Sequence, residues 1–175
     1  MSTLKVNTIT NVSGQSNLGK VIQVVTSSTT NQVSGNLGFS NGAAPTSTSG
    51  TQFHSFTFTP LRSDSTIHLI SSNICIAETS NNNDVLWMAA FAGTSLITAQ
   101  SSPCAYYHFG GNYNATWVNL CGSIASWGTS SRTISIRGGA GNASGNNIGI
   151  NIDDVYISQT VGVRDVNFRM MEVAP

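Results

Sequence analysis

The sequence predicts an all-β fold, an antiparallel β-sandwich or jelly roll, and three observations carry that prediction. About eight or more segments read as strands, turn signals recur about every ten residues, and no stretch of ten residues carries a helical period. Composition agrees, because Glu and Lys, the strongest charged helix formers, occur only twice each beside 25 Ser, 19 Thr, 18 Asn and 17 Gly. A chain of 175 residues suits one domain that buries its own core without metal or disulfide staples.

Residues 1–19 read as a separate arm. Leu4, Val6, Thr8 and Thr10 alternate with Lys5, Asn7, Ile9 and Asn11 before a polar break at Ser13 and Gly14. A β-forming peptide this short has no core and gains hydrogen bonds only from a partner's edge, which makes Leu4, Val6, Thr8 and Ile9 docking candidates. An ordinary edge strand or a frayed end accounts for the same pattern.

Residues 20–175 form the expected body. Residues 20–26 are dense in β-branched side chains and predict its first strand, whereas 27–51, with Asn41-Gly42 and Pro45, predict a long loop of the kind that carries function or motion. Residues 53–59 and 66–76, separated by Pro60 and a short polar turn, predict a hairpin. Residues 85–91 are apolar on both parities and predict a strand covered on both faces. A turn and short strand follow over 93–99, and residues 116–127 predict an apolar strand interrupted at Gly122. Residues 132–137 and 148–152 predict partner strands joined by a flexible tip at 138–147.

The closing run places Val166, Phe168 and Met170 on one side and Asp165, Asn167 and Arg169 on the other, which predicts a central strand. The expected core comprises Phe56, Phe58, Ile67, Leu69, Trp87, Ile134, Ile136, Val166 and Phe168.

Charged residues are 8% of the chain against about a quarter in ordinary domains, so the surface must be built from hydroxyls and amides. Seven basic and seven acidic residues cancel, leaving no field to attract phosphate or anionic lipid, and nucleic acid is not an expected partner. Weak colloidal repulsion suits a protein held in an assembly. Cys75, Cys104 and Cys121 lack Cys-x-x-Cys spacing and have apolar neighbours, which predicts buried free thiols. The first nine residues lack the apolar run of a signal peptide, and no window approaches the ~20 apolar residues of a membrane helix, so cytoplasmic synthesis without membrane insertion is expected.

No catalytic set emerges. Serines are abundant, but there is no Gly-x-Ser-x-Gly and no carboxylate pair set among aromatics. Gly138-Gly139-Ala140-Gly141 precedes neither Lys-Ser/Thr nor a helix and is not a phosphate loop. His54, His68 and His108 lack metal-ligand spacing; His54 and His68 lie on neighbouring predicted strands and are candidates to meet each other or a trimer axis, but satisfied or surface histidines are the favoured reading. Asp153, Asp154 and Asp165 lack the spacing of a calcium loop. No metal or cofactor is expected. Tyr106, Tyr107, Tyr113 and Trp117, with Asn112 and Asn114, are candidate ligand contacts, since rings stack on sugar faces while amides bond hydroxyls; Phe109 and Trp127 extend the group. Filling the sandwich core or a trimer interface is the favoured use of the same rings.

Three pieces in order resemble a known family: Ser2-Thr3-Leu4-Lys5-Val6-Asn7-Thr8-Ile9, then Phe56-Thr57-Phe58-Thr59-Pro60 with Ser65-Thr66-Ile67-His68-Leu69, then Met171-Glu172-Val173-Ala174-Pro175. They are similar to virion fibre and knob proteins of tailed phages, particularly marine cyanophages. The likeness covers residues 20–175 loosely and 1–12 more closely. It implies a homotrimeric jelly-roll knob of tumour-necrosis-factor-like type on a virion, docked to other virion proteins through the arm. Host-cell attachment through a surface glycan or receptor is the implied use. Capsid decoration with an architectural role, or a carbohydrate-binding module, are the alternatives. The pattern departs from the family in showing no long shaft or tail-adaptor segment, which leaves tail or capsid location open.

Overall fold

The computed structural model describes residues 19–36, 44–72, 74–78, 85–103, 114–140, 147–151 and 165–175. Among them are twelve strands and no helix: β1 (Lys20–Thr29), β2 (Val33–Asn36), β3 (Thr51–Phe58), β4 (Thr66–Ser71), β5 (Ile74–Glu78), β6 (Val85–Ala92), β7 (Ser95–Pro103), β8 (Asn114–Val118), β9 (Cys121–Ala125), β10 (Arg132–Ala140), β11 (Asn147–Ile150) and β12 (Val166–Ala174). No helix among these residues is long and apolar enough to cross a membrane.

Pairing runs from the two ends of the chain inward. β1 pairs with β12, β2 with β11, β3 with β10, β4 with β9, β5 with β8 and β6 with β7, all antiparallel. The body is thus one long hairpin with its tip at Gly93 and Thr94. Three further pairings, β12 with β4, β10 with β6 and β11 with β5, roll that hairpin into sheets ordered β1-β12-β4-β9, β3-β10-β6-β7 and β2-β11-β5-β8. This is the strand order of a jelly roll. The third sheet prolongs the first, because β2, β5 and β8 continue β1, β4 and β9 past short breaks.

Backbone groups released at those breaks are taken up by hydroxyls and amides. Leu120 N donates to Ser71 Oγ at 2.8 Å, Asn167 N to Ser72 Oγ at 2.8 Å, and Asn151 Nδ2 to Asn31 O at 3.2 Å. Asn151 is itself in the left-handed region, with φ 53°, which Asn tolerates better than most residues. The excess of Ser and Asn therefore serves the inside of the fold as well as its surface, since a buried unpaired backbone group is costly.

Inward-facing rows fill the space between the first two sheets. Val166, Phe168 and Met170 of β12 meet Phe53, Phe58, Ile134 and Ile136 of β3 and β10 in one buried cluster, which Ile67 and Leu69 of β4 complete. Burying each such side chain contributes about 1.5–3 kcal/mol. The closing strand lies between β1 and β4 and is central, as its alternation predicts. Phe56 is partly buried against this cluster.

Several expectations are corrected. Residues 53–59 and 66–76 do not form a hairpin: β3 bonds to β10 and β4 to β12 and β9, so the chain crosses between sheets at Pro60. Residues 132–137 and 148–152 are not partners either, because β11 pairs with β2 and β5 in the third sheet. Gly138 and Gly139 belong to β10 and are no loop tip; a Cβ on Gly138 would lie 2.5 Å from Ile150 Cδ1 and 2.6 Å from Met88 Sδ, so glycine is present for close approach.

Residues 27–51 hold the end of β1, all of β2 and a turn at residues 46–50, whose Ser49 and Gly50 carbonyls accept from Arg137 Nε at 2.7 Å and Nη2 at 2.8 Å. Trp87 is only half-buried, because register sets it opposite Gly139 on the parity away from Leu86 and Met88. The double apolarity of β6 is met within one chain, where Ala89 and Phe91 are buried on the outer parity.

Candidate interaction surface

Glu172 sits on the inner parity of β12 and is fully buried. A carboxylate there needs donors on both oxygens. Oε1 accepts from Arg62 N at 2.9 Å and Ser65 Oγ at 2.6 Å, and Oε2 from Leu61 N at 2.8 Å. Gln23, with its amide turned toward the carboxylate, donates to Oε2 at 2.9 Å and to Thr59 O at 3.2 Å. Burial pushes the Glu172 carboxyl up, but the bonds from Leu61, Ser65 and Arg62, with the Arg62 charge, outweigh it and hold the group below the ordinary glutamate range. Glu172 thereby fastens the β3–β4 crossing to the last strand.

The two open edges of the sandwich are closed differently. Where β1 faces β3, Ser27 Oγ and His54 Nε2 share a 2.8 Å hydrogen bond, and the imidazole stacks on Phe168 with centroids 5.3 Å apart and planes at 17°. Burial lowers the His54 pKa, so the ring is neutral at physiological pH. Serine beside neutral histidine is half of a nucleophilic set, yet among the described residues no carboxylate bonds the ring to orient it. Its geometry is that of a clasp. Where β9 faces β7, Gly122 permits contact: a Cβ would stand 2.5 Å from Thr98 Cβ and 2.9 Å from Ile97 O, and Thr98 Oγ1 donates to Cys121 O at 3.0 Å.

Outward-facing positions of the first sheet form rows across its four strands. The first row is Val21, Val173, Thr66 and Ala125; the second is Val24, Met171, His68 and Ser123. In the third, Thr26 and Arg169 adjoin Ile70 and Cys121. An irregularity in register between Val21 and Gln23 puts both valines on this outer face while Gln23 turns in to Glu172. Val21, Val24 and Ile70 are 50%, 51% and 42% exposed, and Arg169 is the one full charge among these twelve positions. On the continuing sheet, Trp117 of β8 stands opposite Cys75 of β5 and is 48% exposed.

Of the sequence candidates, Leu4, Val6, Thr8, Ile9, Tyr106, Tyr107, Asn112 and Tyr113 lie outside the described residues, as do Phe109, His108, Cys104, Asp153 and Asp154. Trp117 is on the surface and outside the core. Asn114 is three positions away on the same strand. Trp127 packs edge-on to Phe58 at 6.0 Å with Arg132 5.3 Å over its ring, a core-margin role. His54 and His68 do not meet, because one points into the sandwich and the other lies on the outer parity of the opposite sheet. Cys121 is exposed and Cys75 half-buried, contrary to the expectation of buried thiols, because both fall on outer parities. Among the described residues no cluster of three or more His, Cys, Asp or Glu side chains could hold a metal ion.

Sequence reasoning did not single out Glu172, the Ser27–His54 pair or the valine face. The usable signal for the last was the run Val21, Val24, Val25 in a strand, whose parity fails without a bulge.

No protein-family model matches this sequence, and no curated protein matches it. Among solved structures it is similar to the VP2 subviral particle of infectious bursal disease virus, at 12% identity and a TM-score of 0.38, over 89% of this chain. A structure of the Gt strain of infectious bursal disease virus matches at 12% identity and a TM-score of 0.30, over 88% of this chain. The chain spans 38% and 37% of the lengths of those two.

Proposed function

We propose that this chain is a virion structural protein, a tail-fibre or surface-knob component. In this reading residues 1–19 dock on another virion protein, residues 20–175 form a homotrimeric knob, and the knob serves host-cell attachment. The observation that carries the reading is a jelly-roll body with few charges whose first sheet presents an apolar, nearly neutral outer face, which suits a protein held in an assembly. The likeness of three segments to phage fibre and knob proteins supports the same reading. Trp117, exposed on β8, supports a sugar-contacting use.

Two experiments test it. Deleting residues 2–12 leaves a folded protein that no longer enters particles; normal incorporation of the truncated chain removes the docking role. Purified protein competes with particles for host cells, and Trp117→Ala weakens the competition. If the protein neither binds cells nor slows adsorption while a particle reconstruction finds it on the capsid, an architectural decoration role replaces attachment.

A further inference from the structure

The outer side of the β3-β10-β6-β7 sheet brings an indole and a guanidinium together, and we propose that this pair binds a carboxylate-bearing sugar, a uronic acid residue of a surface glycan. The inference deepens the attachment part of the reading above, on which it rests, by naming the ligand class and the place that takes it.

Register sets the pair. Trp87 of β6 stands opposite Gly139 of β10, and Arg137, on the same parity of β10, stands opposite Ala89 of β6. Trp87 and Arg137 are therefore diagonal neighbours, about 7–8 Å apart along the sheet. The residues beside them on the other parity, Leu86, Met88 and Ile136, are fully buried, so both members of the pair face away from the core. Each is half-buried. Gly139 has no side chain to fill the place beside the indole, and Ala89, fully buried, gives that place an apolar floor. A sugar ring lying against the indole reaches Arg137 with its carboxylate.

Arg137 is held ready for an acid. Its Nε and Nη2 donate to the carbonyls of Ser49 at 2.7 Å and Gly50 at 2.8 Å, which fixes one edge of the guanidinium plane. The Nη1–Nη2 edge has no partner among the described residues, and it matches a carboxylate with two parallel hydrogen bonds. Among the described residues the one ion pair is Arg62 with Asp64, so no described carboxylate neutralises Arg137. Burial pushes the Arg137 pKa down, as expected of a cation drawn partly out of water without a counter-charge. The carboxylate of the sugar supplies that charge. Gln52 of β3, exposed and opposite Arg137, adds an amide for sugar hydroxyls. A neutral sugar leaves the guanidinium edge unmatched, and a nucleic-acid strand meets one cation where it needs several.

Titrating the full chain with trigalacturonate, followed by calorimetry and by the indole N–H signals of the three tryptophans, tests the proposal. The signal that is missing from Trp87→Ala is expected to shift in the wild type. Trp87→Ala and Arg137→Gln should each weaken binding about tenfold or more. Methyl-esterified trigalacturonate, the same sugar without its charge, should bind the wild type about tenfold more weakly or worse. Leu61→Ala, at the exposed β3–β4 crossing, should bind as the wild type does. Should Arg137→Gln fail to fold, Trp87→Ala and the methyl ester decide. Absence of binding, equal affinity for acid and ester, or undiminished affinity in both Trp87→Ala and Arg137→Gln overturns the site. When that result comes with wild-type protein that still competes with particles for host cells, the attachment reading stands without this site. Trigalacturonate binding without such competition removes attachment and leaves the sugar-acid site standing.

Discussion

Ser65 Oγ lies 2.6 Å from Glu172 Oε1, so a hydroxyl of the β3–β4 crossing and a carboxylate of the last strand meet inside the fold across 107 residues of chain. With Leu61 N, Arg62 N and Gln23 on the same carboxylate, a charged group sits where period-two alternation calls for an apolar one. The crossing is not a hairpin turn, since β3 bonds to β10 and β4 to β12 and β9, and two of its N–H groups, of Leu61 and Arg62, are spent on Glu172.

Glu172→Gln is expected to destabilise the protein by about 1–3 kcal/mol, because an amide turns one acceptor oxygen into a donor facing donors. The folded pKa lies below that of the unfolded chain, about 4.3. The contribution of the carboxylate is therefore complete above that value and is lost as pH falls through the folded pKa. Urea midpoints measured at neutral pH and at successively lower pH should drop in the wild type below about 4.3, with a smaller drop in the variant.

His54 titrates in a higher window. Its folded pKa is lowered by burial, so the native state resists a proton that the unfolded chain accepts near ~6.5. Stability is complete above that value and declines as pH falls toward the folded pKa. His54→Phe should flatten this part of the curve, and Ser27→Ala should cost about 0.5–1.5 kcal/mol by removing the clasp. An unchanged slope in His54→Phe would refute the assignment.

Gly122 and Gly138 make opposite demands on their neighbours. An added Cβ at Gly122 meets Thr98 Cβ and the Ile97 carbonyl, which move only if β7 and β9 separate, whereas at Gly138 it meets the ends of Ile150 and Met88, which can swing aside. Gly122→Ala should therefore cost about 1–3 kcal/mol and Gly138→Ala less. Thermal melts of the two variants give the comparison, and the reverse order would contradict the packing described.

Removing residues 165–175 should abolish folding. β12 fills the position between β1 and β4 and supplies Val166, Phe168 and Met170 to the core. Loss of cooperative unfolding and of the β-type far-ultraviolet spectrum in the truncated chain is the expected result.

Local alternation in the sequence by itself determined that this is an all-β chain, roughly where β1, β3, β6, β10 and β12 run, and which side of β12 is buried. Period two reports a face directly, and the apolar parity of β12 needs no knowledge of its partners. Partnership was left to the tertiary structure, because alternation says nothing about which strand lies alongside. The rolled hairpin joins β1 to β12 and β3 to β10, so adjacency along the chain misleads at Pro60 and again at Gly138. A glycine pair in sequence reads as a turn, while in the fold Gly138 makes room for Ile150 and Met88. The surface and its anchor were hidden for the same reason: one bulge near Val21 decides that both valines face outward, and donors more than a hundred residues away make Glu172 a stable occupant of the interior.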